Sequence, residues 1–196
     1  MTLAVVILAA GEGTRMKSDL PKVLHPLGGR PLILHALETA RRLADLSPVL
    51  IVGHGRNAVE DAVGGGVTTV EQAEQLGTGH AVLQAREALR DRADMVLVSY
   101  ADMPLLTAET LGQLVERQRE NCGPITMLSL IQDNPRGFGR VVRDADGGVA
   151  AIVEEAVATP EQLEIRELNA GVYCFDGPWL WDHVGEIPLS LPKEEY

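Results

Sequence analysis

The sequence predicts an α/β fold in which a mostly parallel central sheet is flanked by helices and followed by a smaller β-rich lobe. Short runs rich in Val, Ile and Leu, typical of buried strands, occur at Leu3–Leu8, Val49–Val52, 95–99 and Ile125–Ile131. Helical patterns lie between most of them. Strands that alternate with helices favour parallel pairing, because each helix carries the chain back to the start of the next strand.

The helices are predicted from their start signals and from apolar spacing. Pro31 suits a first helical position, and apolar residues follow it at three- and four-residue intervals. The same spacing covers 80–92 and 107–120, where Thr107 offers a side-chain cap. The second half of the chain is rich in turns, and its shorter strand candidates lie at Arg140–Arg143, 149–154 and 168–175.

The length of 196 residues suits one domain with a core of its own. We therefore predict a single domain over 1–196, with a larger lobe at 1–125 and a smaller β-rich lobe at 126–196. No internal repeat divides the chain further.

The composition excludes several classes of protein. A formal net charge of −11, from 28 acidic and 17 basic residues, opposes unspecific binding to nucleic acid or to an anionic membrane. No apolar run is long enough to span a bilayer. Cys122 and Cys174 have no Cys or His nearby at metal-ligand spacing and are expected to be reduced thiols. These features indicate a cytoplasmic protein.

A glycine-rich turn follows the first strand, at the edge of the sheet where open α/β folds bind ligands. Its small residues would let backbone N–H groups approach a phosphate chain, and Arg15 and Lys22 would add positive charge. A Walker A string is absent, and Met16 stands where a dinucleotide fingerprint needs glycine. The residues alone thus allow either a phosphate-binding loop or an ordinary tight turn. The candidate binding positions are Leu8, Ala9, Ala10, Gly11 and Gly13.

A second polar cluster spans 72–81, where a strand end, a turn bracketed by glycines and a helix start follow one another. The amide of Gln72 offers the donor and acceptor needed to read a pyrimidine edge, with Gly77 and Thr78 beside it. An ordinary loop is the alternative. We expect His80 to pack or to cap the helix rather than to act in catalysis.

Asp102 ends the buried strand that begins at Met95. A carboxylate at the end of a central strand, beside a phosphate loop, suits Mg²⁺, which takes one or two carboxylates and completes its shell with phosphate oxygens and water. The alternative is a turn or capping Asp before Pro104.

These segments together resemble the signature of sugar-nucleotide pyrophosphorylases. The resemblance rests on Leu-Ala-Ala-Gly and Gly-Thr-Arg-Met from residue 8 onward, Pro-Lys-Val-Leu at 21–24, Leu-Gly-Thr-Gly-His-Ala at 76–81 and the run that ends at Asp102. Within that family the whole chain is similar to the uridyltransferase domain of N-acetylglucosamine-1-phosphate uridyltransferases. The resemblance implies a Rossmann-like fold of the nucleotide-diphospho-sugar transferase type, with a nucleotide-side lobe and a sugar-side lobe.

The resemblance also assigns roles to individual positions. It implies that Arg15 and Lys22 are the catalytic basic residues and that Asp102 binds Mg²⁺. The positions that it assigns to the nucleotide are Leu8, Ala9, Ala10, Gly11, Gly13, Lys22, Gln72, Gly77 and Thr78. Those that it assigns to the sugar are Tyr100, Ala101, Gly139, Glu154 and Asn169. The chain departs from the family pattern at Ala101 (commonly Gly), Phe138 (Tyr) and Ala170 (Thr), so two hydroxyl groups of that pattern are missing on the sugar side.

The implied reaction joins UTP to N-acetylglucosamine 1-phosphate, giving UDP-N-acetylglucosamine and pyrophosphate. The chain ends before the resemblance would have the family's domain end, so a second metal ligand is expected beyond Tyr196, and we expect no acetyltransferase domain within these 196 residues. Two alternatives stay open: a related nucleotidyltransferase of other base or sugar specificity, such as a molybdenum-cofactor guanylyltransferase, and a nucleotide-binding fragment without turnover. The sequence indicates no particular oligomeric state.

Overall fold

The computed structural model describes residues 1–13 and 16–188. It divides into two compact units, the first formed by Met1–Thr126 with the residues from Cys174 onward, and the second by Met127–Tyr173. Among the described residues, no helix is long and apolar enough to cross a membrane.

The first unit is built on a parallel sheet. In chain order its strands are β1 (Leu3–Leu8), β2 (Pro26–Leu27), β3 (Arg30–Pro31), β4 (Val49–Val52), β5 (Thr68–Glu71) and β6 (Met95–Tyr100). The sheet order is β5-β4-β1-β6 with every neighbouring pair parallel, while β2 and β3 form a separate small hairpin. The central strand β1 thus pairs on both sides, with Val6 opposite Val49 of β4 and Val98 of β6.

Helices cover this sheet. They are α1 (Leu32–Leu43), α2 (Arg56–Val63), α3 (Thr78–Gln84), α4 (Arg86–Leu89) and α5 (Ala108–Glu120). The single helix predicted over 80–92 is wrong, because the N–H of Ala85 donates to the carbonyl of Val82 at 3.0 Å and this tighter turn separates α3 from α4. The predicted cap of α5 is confirmed, since the Thr107 side chain accepts from the N–H of Thr110.

The core of the first unit lies on the two inner strands. Every residue of β1 and β4 is buried, as expected for strands that are covered on both faces. Trp181, which is 1% exposed, closes one side of this core from helix α7, described below. The predicted α/β architecture with a mainly parallel, helix-flanked sheet is confirmed.

The second unit is β-rich and antiparallel. It contains most of β7 (Ile125–Ile131), with β8 (Arg140–Arg143), β9 (Val149–Val153), the short helix α6 (Pro160–Leu163) and most of β10 (Glu167–Asp176). Strand β8 pairs antiparallel with both β9 and β10, and β7 also pairs with β10. Residues of β10 alternate between buried and partly buried, which is the period of two of a sheet strand.

The chain returns to the first unit after Tyr173. Helix α7 (Gly177–His183) places Leu180 and Trp181 in the core of the parallel sheet. Sequence analysis assigned all of 126–196 to the smaller lobe, whereas the structure groups the residues from Cys174 onward with the first unit. The physical reason is the apolar face of α7, which is buried on that unit's core.

Candidate functional site

A cavity of about 540 Å³ opens in the first unit beside the carboxyl ends of β1, β5 and β6. Of the predicted site residues, those that line it are Leu8, Ala9, Ala10, Gly11, Gly13, Lys22, Gln72, Gly77, Thr78, Tyr100 and Asp102. Residues far apart in sequence meet here because parallel strands end at the same edge of a sheet. The cavity also has lining residues that sequence analysis did not assign, namely Glu12, Met16, Val23, Gln75 and Ala81.

The turn after β1 is held by the neighbouring strands. The N–H of Ala9 donates to the carbonyl of Ile51 at 2.9 Å, and the N–H of Ala101 donates to the carbonyl of Leu8 at 3.0 Å. Gly13 adopts a φ of 64°, in the left-handed region that favours glycine. A Cβ added there would also lie 2.6 Å from the Cβ of Lys22, so a glycine at this position lets Lys22 approach the turn.

Lys22 and Asp102 form an ion pair on the wall of this cavity. The ammonium group of Lys22 donates to Oδ2 of Asp102, and the two side chains are 39% and 28% exposed. Lys22 begins a short 3-10 helix, Lys22–Leu24, whereas Asp102 follows the end of β6. The structure therefore brings together the predicted catalytic lysine and the predicted metal ligand. Arg15, the other predicted catalytic residue, lies outside the described residues.

The donor set at Asp102 fits Mg²⁺ but not a metal held by protein alone. The part of the chain that the structure describes contains no group of three or more His, Cys, Asp or Glu side chains able to hold a metal ion. A single carboxylate still suits Mg²⁺, which commonly keeps several waters and takes its remaining ligands from substrate phosphates.

Gln72 is the anchored residue of the second cluster. It follows β5, is 3% exposed, and its main-chain N–H donates to the carbonyl of Val52 at 2.8 Å. Its side-chain Nε2 donates to the carbonyl of Gly77 at 3.0 Å and lies 3.1 Å from Nδ1 of His80. On the other side of the imidazole, Nε2 of Gln84 lies 3.0 Å from Nε2 of His80.

Gly53 supports both parts of the cavity wall. It follows β4, and a Cβ added to it would lie 2.8 Å from Nε2 of Gln75, 2.9 Å from the carbonyl oxygen of Ala10 and 3.1 Å from the Cβ of Ala10. The turn after β1 and the segment that contains Gln72 and Gln75 therefore both pack against this glycine. Gly53 and Gln75 were missed at the sequence level, because only the tertiary packing reveals their closeness.

The predicted sugar residues of the second unit lie next to one another. The N–H of Asn169 donates to the carbonyl of Gly139 at 2.8 Å, and a Cβ added to Gly139 would lie 3.0 Å from Oε1 of Glu154. Tyr173, which was not predicted, donates from its hydroxyl to Oδ1 of Asn169 at 2.9 Å. Burial raises the pKa of Tyr173, the charge of Glu154 raises it further, and the bond to Asn169 opposes the shift.

A buried arginine holds the turn before Gly139. Arg140 is 2% exposed, and its guanidinium donates to the carbonyl of Phe138 and, at 3.3 Å, to Oε1 of Glu155. The main-chain N–H of Gly137 donates to Oε2 of the same carboxylate at 2.7 Å, and this bond is the main reason why the pKa of Glu155 is lowered. These hydrogen bonds hold the turn that precedes Gly139 in place.

The two remaining sugar candidates belong to the first unit. Tyr100 ends β6 and lines the cavity. Ala101 is 0% exposed, and its side chain does not reach the cavity. The methyl group that this chain has where the family commonly has glycine is therefore buried in the core.

A second cavity, of about 670 Å³, lies beside the start of α2. Its Arg56 donates to Glu60 at 2.9 Å and to Glu71 at 2.6 Å. These charged groups are paired with one another, and the described lining of this cavity contains none of the site residues predicted from the sequence.

Comparison with known proteins agrees with this geometry. Residues 5–138 match the model of the MobA-like NTP transferase domain. The chain is 46% identical over 196 residues to Bifunctional protein GlmU of Solibacter usitatus (strain Ellin6076), a match that covers 99% of this chain and 42% of that protein. It is 53% identical over 193 residues to the protein of the same name from Burkholderia lata, and this match covers 98% of this chain and again 42% of the relative. The chain thus spans about two fifths of the length of these curated relatives.

Solved structures share the fold. A UDP-glucose pyrophosphorylase complexed with UDP-glucose superimposes with a TM-score of 0.75 at 18% identity, covering 100% of this chain and 83% of that one. A CMP:2-keto-3-deoxy-manno-octonic acid synthetase complexed with CTP gives 0.71 at 17% identity, covering 98% and 80%. The sequence match, which extends over most of the chain, is decisive: this chain belongs to the family of MobA-like NTP transferase domains.

Proposed function

We propose that the chain is a nucleotidyltransferase domain that makes UDP-N-acetylglucosamine from UTP and N-acetylglucosamine 1-phosphate, with Mg²⁺, and releases pyrophosphate. The observation that carries this proposal is the meeting of Lys22 and Asp102 beside the glycine-rich turn, in the same cavity as the anchored amide of Gln72. The relatives named Bifunctional protein GlmU support it over the alternatives.

The residues of the cavity suit a displacement at phosphorus. A phosphate oxygen of the sugar 1-phosphate attacks the α-phosphorus of UTP, a new P–O bond forms, and the bond to the departing pyrophosphate breaks. With a second pKa near 6, a phosphate monoester is largely ionised at neutral pH, so no protein group has to remove a proton. The barrier is then mostly electrostatic, because two anions must meet and charge must be stabilised on the leaving group.

Each polar group has a role in this scheme. The ammonium of Lys22 and the backbone N–H groups of the turn neutralise phosphate oxygens, and Arg15 is proposed to do the same. Asp102 would hold Mg²⁺, which supplies further positive charge and orients the phosphate chain when it is bound. Gln72 would contact the base, and Tyr100, Gly139, Glu154 and Asn169 would contact the sugar.

The test is pyrophosphate release from matched substrate pairs. With N-acetylglucosamine 1-phosphate and Mg²⁺ we expect UTP to be used in preference to GTP, CTP and TTP. Asp102→Asn should lower the rate by on the order of 10²-fold, the scale for the loss of one preorganised charge contact. UTP binding without pyrophosphate release would instead indicate a binding module, and a preference for GTP would indicate a guanylyltransferase.

A further inference from the structure

We propose that Lys22 is a counter-ion that keeps Asp102 from binding a divalent cation until a nucleotide phosphate takes over its ammonium group. In the structure each of these two side chains has the other as its partner. The proposed reaction needs both for other tasks, because Lys22 is to neutralise phosphate and Asp102 is to hold the metal. The inference rests on the proposed function, since it concerns the metal and the triphosphate of the same cavity.

The ion pair uses the carboxylate that a metal would need. The ammonium of Lys22 donates to Oδ2 of Asp102, and among the described residues neither side chain makes another hydrogen bond or ion pair. A divalent cation on this carboxylate would stand beside the ammonium, and like charges in such close proximity repel each other strongly. Binding of a metal to Asp102 therefore requires Lys22 to leave.

The side chain of Lys22 can leave without a change in the backbone. Its main chain is held in the short 3-10 helix, where the N–H of His25 donates to the carbonyl of Lys22 at 3.2 Å. Its aliphatic stem lies along Gly13, since a Cβ added to that glycine would lie 3.4 Å from Cγ and 3.5 Å from Cδ of Lys22. The flexible end of the side chain is thus next to the turn after β1 as well as to Asp102. Both partners are partly exposed, and ion pairs of this kind are weak enough to exchange.

The balance of charges then couples the metal to the nucleotide. A metal without nucleotide would leave the ammonium of Lys22 unpaired beside a divalent cation. A triphosphate without metal would take Lys22 and leave the carboxylate of Asp102 facing phosphate. Only when both are bound does each charged group face an opposite charge. Each ligand therefore raises the affinity of the cavity for the other, and by thermodynamic linkage the two factors are equal.

The experiment measures the binding of Mn²⁺ in the absence of nucleotide. Mn²⁺ suits the same oxygen ligands as Mg²⁺, and its electron paramagnetic resonance signal reports the concentration of the free ion. We expect Lys22→Met to bind Mn²⁺ about tenfold more tightly than the wild type, because the competing ammonium is gone. Lys17→Met is the matched control, since it removes the same charge from an exposed lysine outside the cavity lining, and it should change the affinity by less than about threefold. Asp102→Asn combined with Lys22→Met should abolish the gain.

A second measurement separates this role from general damage to the site. With saturating Mg²⁺, Lys22→Met should bind UTP about tenfold or more weakly than the wild type in a calorimetric titration, because a charge-assisted contact with phosphate is lost. One substitution should therefore change the two affinities in opposite directions. A variant that is misfolded or has a distorted cavity would instead lose affinity for both ligands.

The outcomes distinguish this inference from the proposed function. Unchanged or weaker Mn²⁺ binding in Lys22→Met, an equal gain in Lys17→Met, or a gain that survives Asp102→Asn would each overturn the role of Lys22. The proposed function would stand in these cases as long as the wild type binds UTP with Mg²⁺ and releases pyrophosphate. A wild type that binds no UTP at any Mg²⁺ concentration would refute the proposed function and, with it, the release of Lys22 by a nucleotide.

Discussion

Replacing Gly53 by Ala tests whether one glycine positions both parts of the candidate nucleotide site. Its φ is not in the left-handed region, so alanine is allowed there by the backbone and any effect comes from the added methyl group. That methyl would lie 2.8 Å from Nε2 of Gln75 and 2.9 Å from the carbonyl oxygen of Ala10. The Gln75 side chain is exposed and can move aside, but the Ala10 carbonyl belongs to the main chain of the turn after β1.

The turn must therefore shift by a few tenths of an ångström. Overpacking of this kind costs about 1–3 kcal/mol, and because one contact is a movable side chain we expect the free energy of unfolding to fall by about 1–2 kcal/mol. The displaced backbone donors should also weaken UTP binding by about tenfold, since a misplacement of about 1 Å can cost on the order of 10²-fold in an enzyme site and this shift is smaller.

The assays are urea unfolding and calorimetric titration with UTP and Mg²⁺. Gly65→Ala is the matched control, because an added Cβ there meets nothing within 4 Å and the φ of Gly65 is also outside the left-handed region. It should leave UTP binding unchanged and keep or raise stability by about 0.4–1 kcal/mol. If Gly53→Ala and Gly65→Ala behave alike in both assays, the packing argument is wrong.

Three further substitutions or treatments test separate parts of the molecule. Lys22→Met should lower the rate of pyrophosphate release by on the order of 10²-fold, while Lys17→Met, an exposed lysine outside the cavity lining, should lower it less than about threefold; similar losses would contradict the assignment. Burial raises the pKa of Cys174 to about 12, so at pH 8 a thiol reagent should modify only the exposed Cys122 in the folded protein. Two fast-reacting thiols would refute this. Hydrogen bonds from Arg143 lower the pKa of Glu167, so its contribution to stability is present above about pH 4.3, the ordinary value, and is lost as the pH falls through the lowered one. Glu167→Gln should therefore lower Tm at pH 7 by more than it does at pH 3, and a constant difference in thermal scans would count against it.

The fold was predictable where burial is complete. Strands β1 and β4 are covered on both faces, and a doubly covered strand shows as an uninterrupted apolar run. Only the end of strand β5 was predicted, at the start of the 72–81 cluster, because its Thr68–Glu71 segment lies at the edge of the sheet and is polar and partly exposed, so no apolar run marks where it begins. The split between α3 and α4 was also missed, since it depends on a local change in hydrogen bonding that leaves the apolar spacing intact.

Sequence analysis could predict which candidate site residues lie at one edge of the sheet, but not which of them contact one another. The turn after β1, Lys22 and Asp102 could be expected at one edge because β1 and β6 are neighbouring parallel strands. The ion pair itself joins residues 80 positions apart, and no local pattern specifies which acid faces which base. No local pattern specifies the contacts of Gly53 either. For Gln72 and His80, the sequence indicated a polar cluster but not that these two side chains are hydrogen-bonded to each other.

The charge of the cavity is a physical reason to expect that the proposed reaction depends on a divalent cation. Among the described lining residues, the positive charge of Lys22 stands against the carboxylates of Asp102 and Glu12, in a chain whose formal net charge is −11. A nucleoside triphosphate brings several further negative charges into this small space, and at 4 Å even two unit charges in the effective dielectric of a protein surface interact by about 4 kcal/mol. Such a wall disfavours the free nucleotide more than the nucleotide that already carries its magnesium. The carboxylates beside Lys22 would thus favour the nucleotide that carries Mg²⁺ over the free nucleotide, because Asp102 repels bare phosphate and is also the residue that would bind the metal.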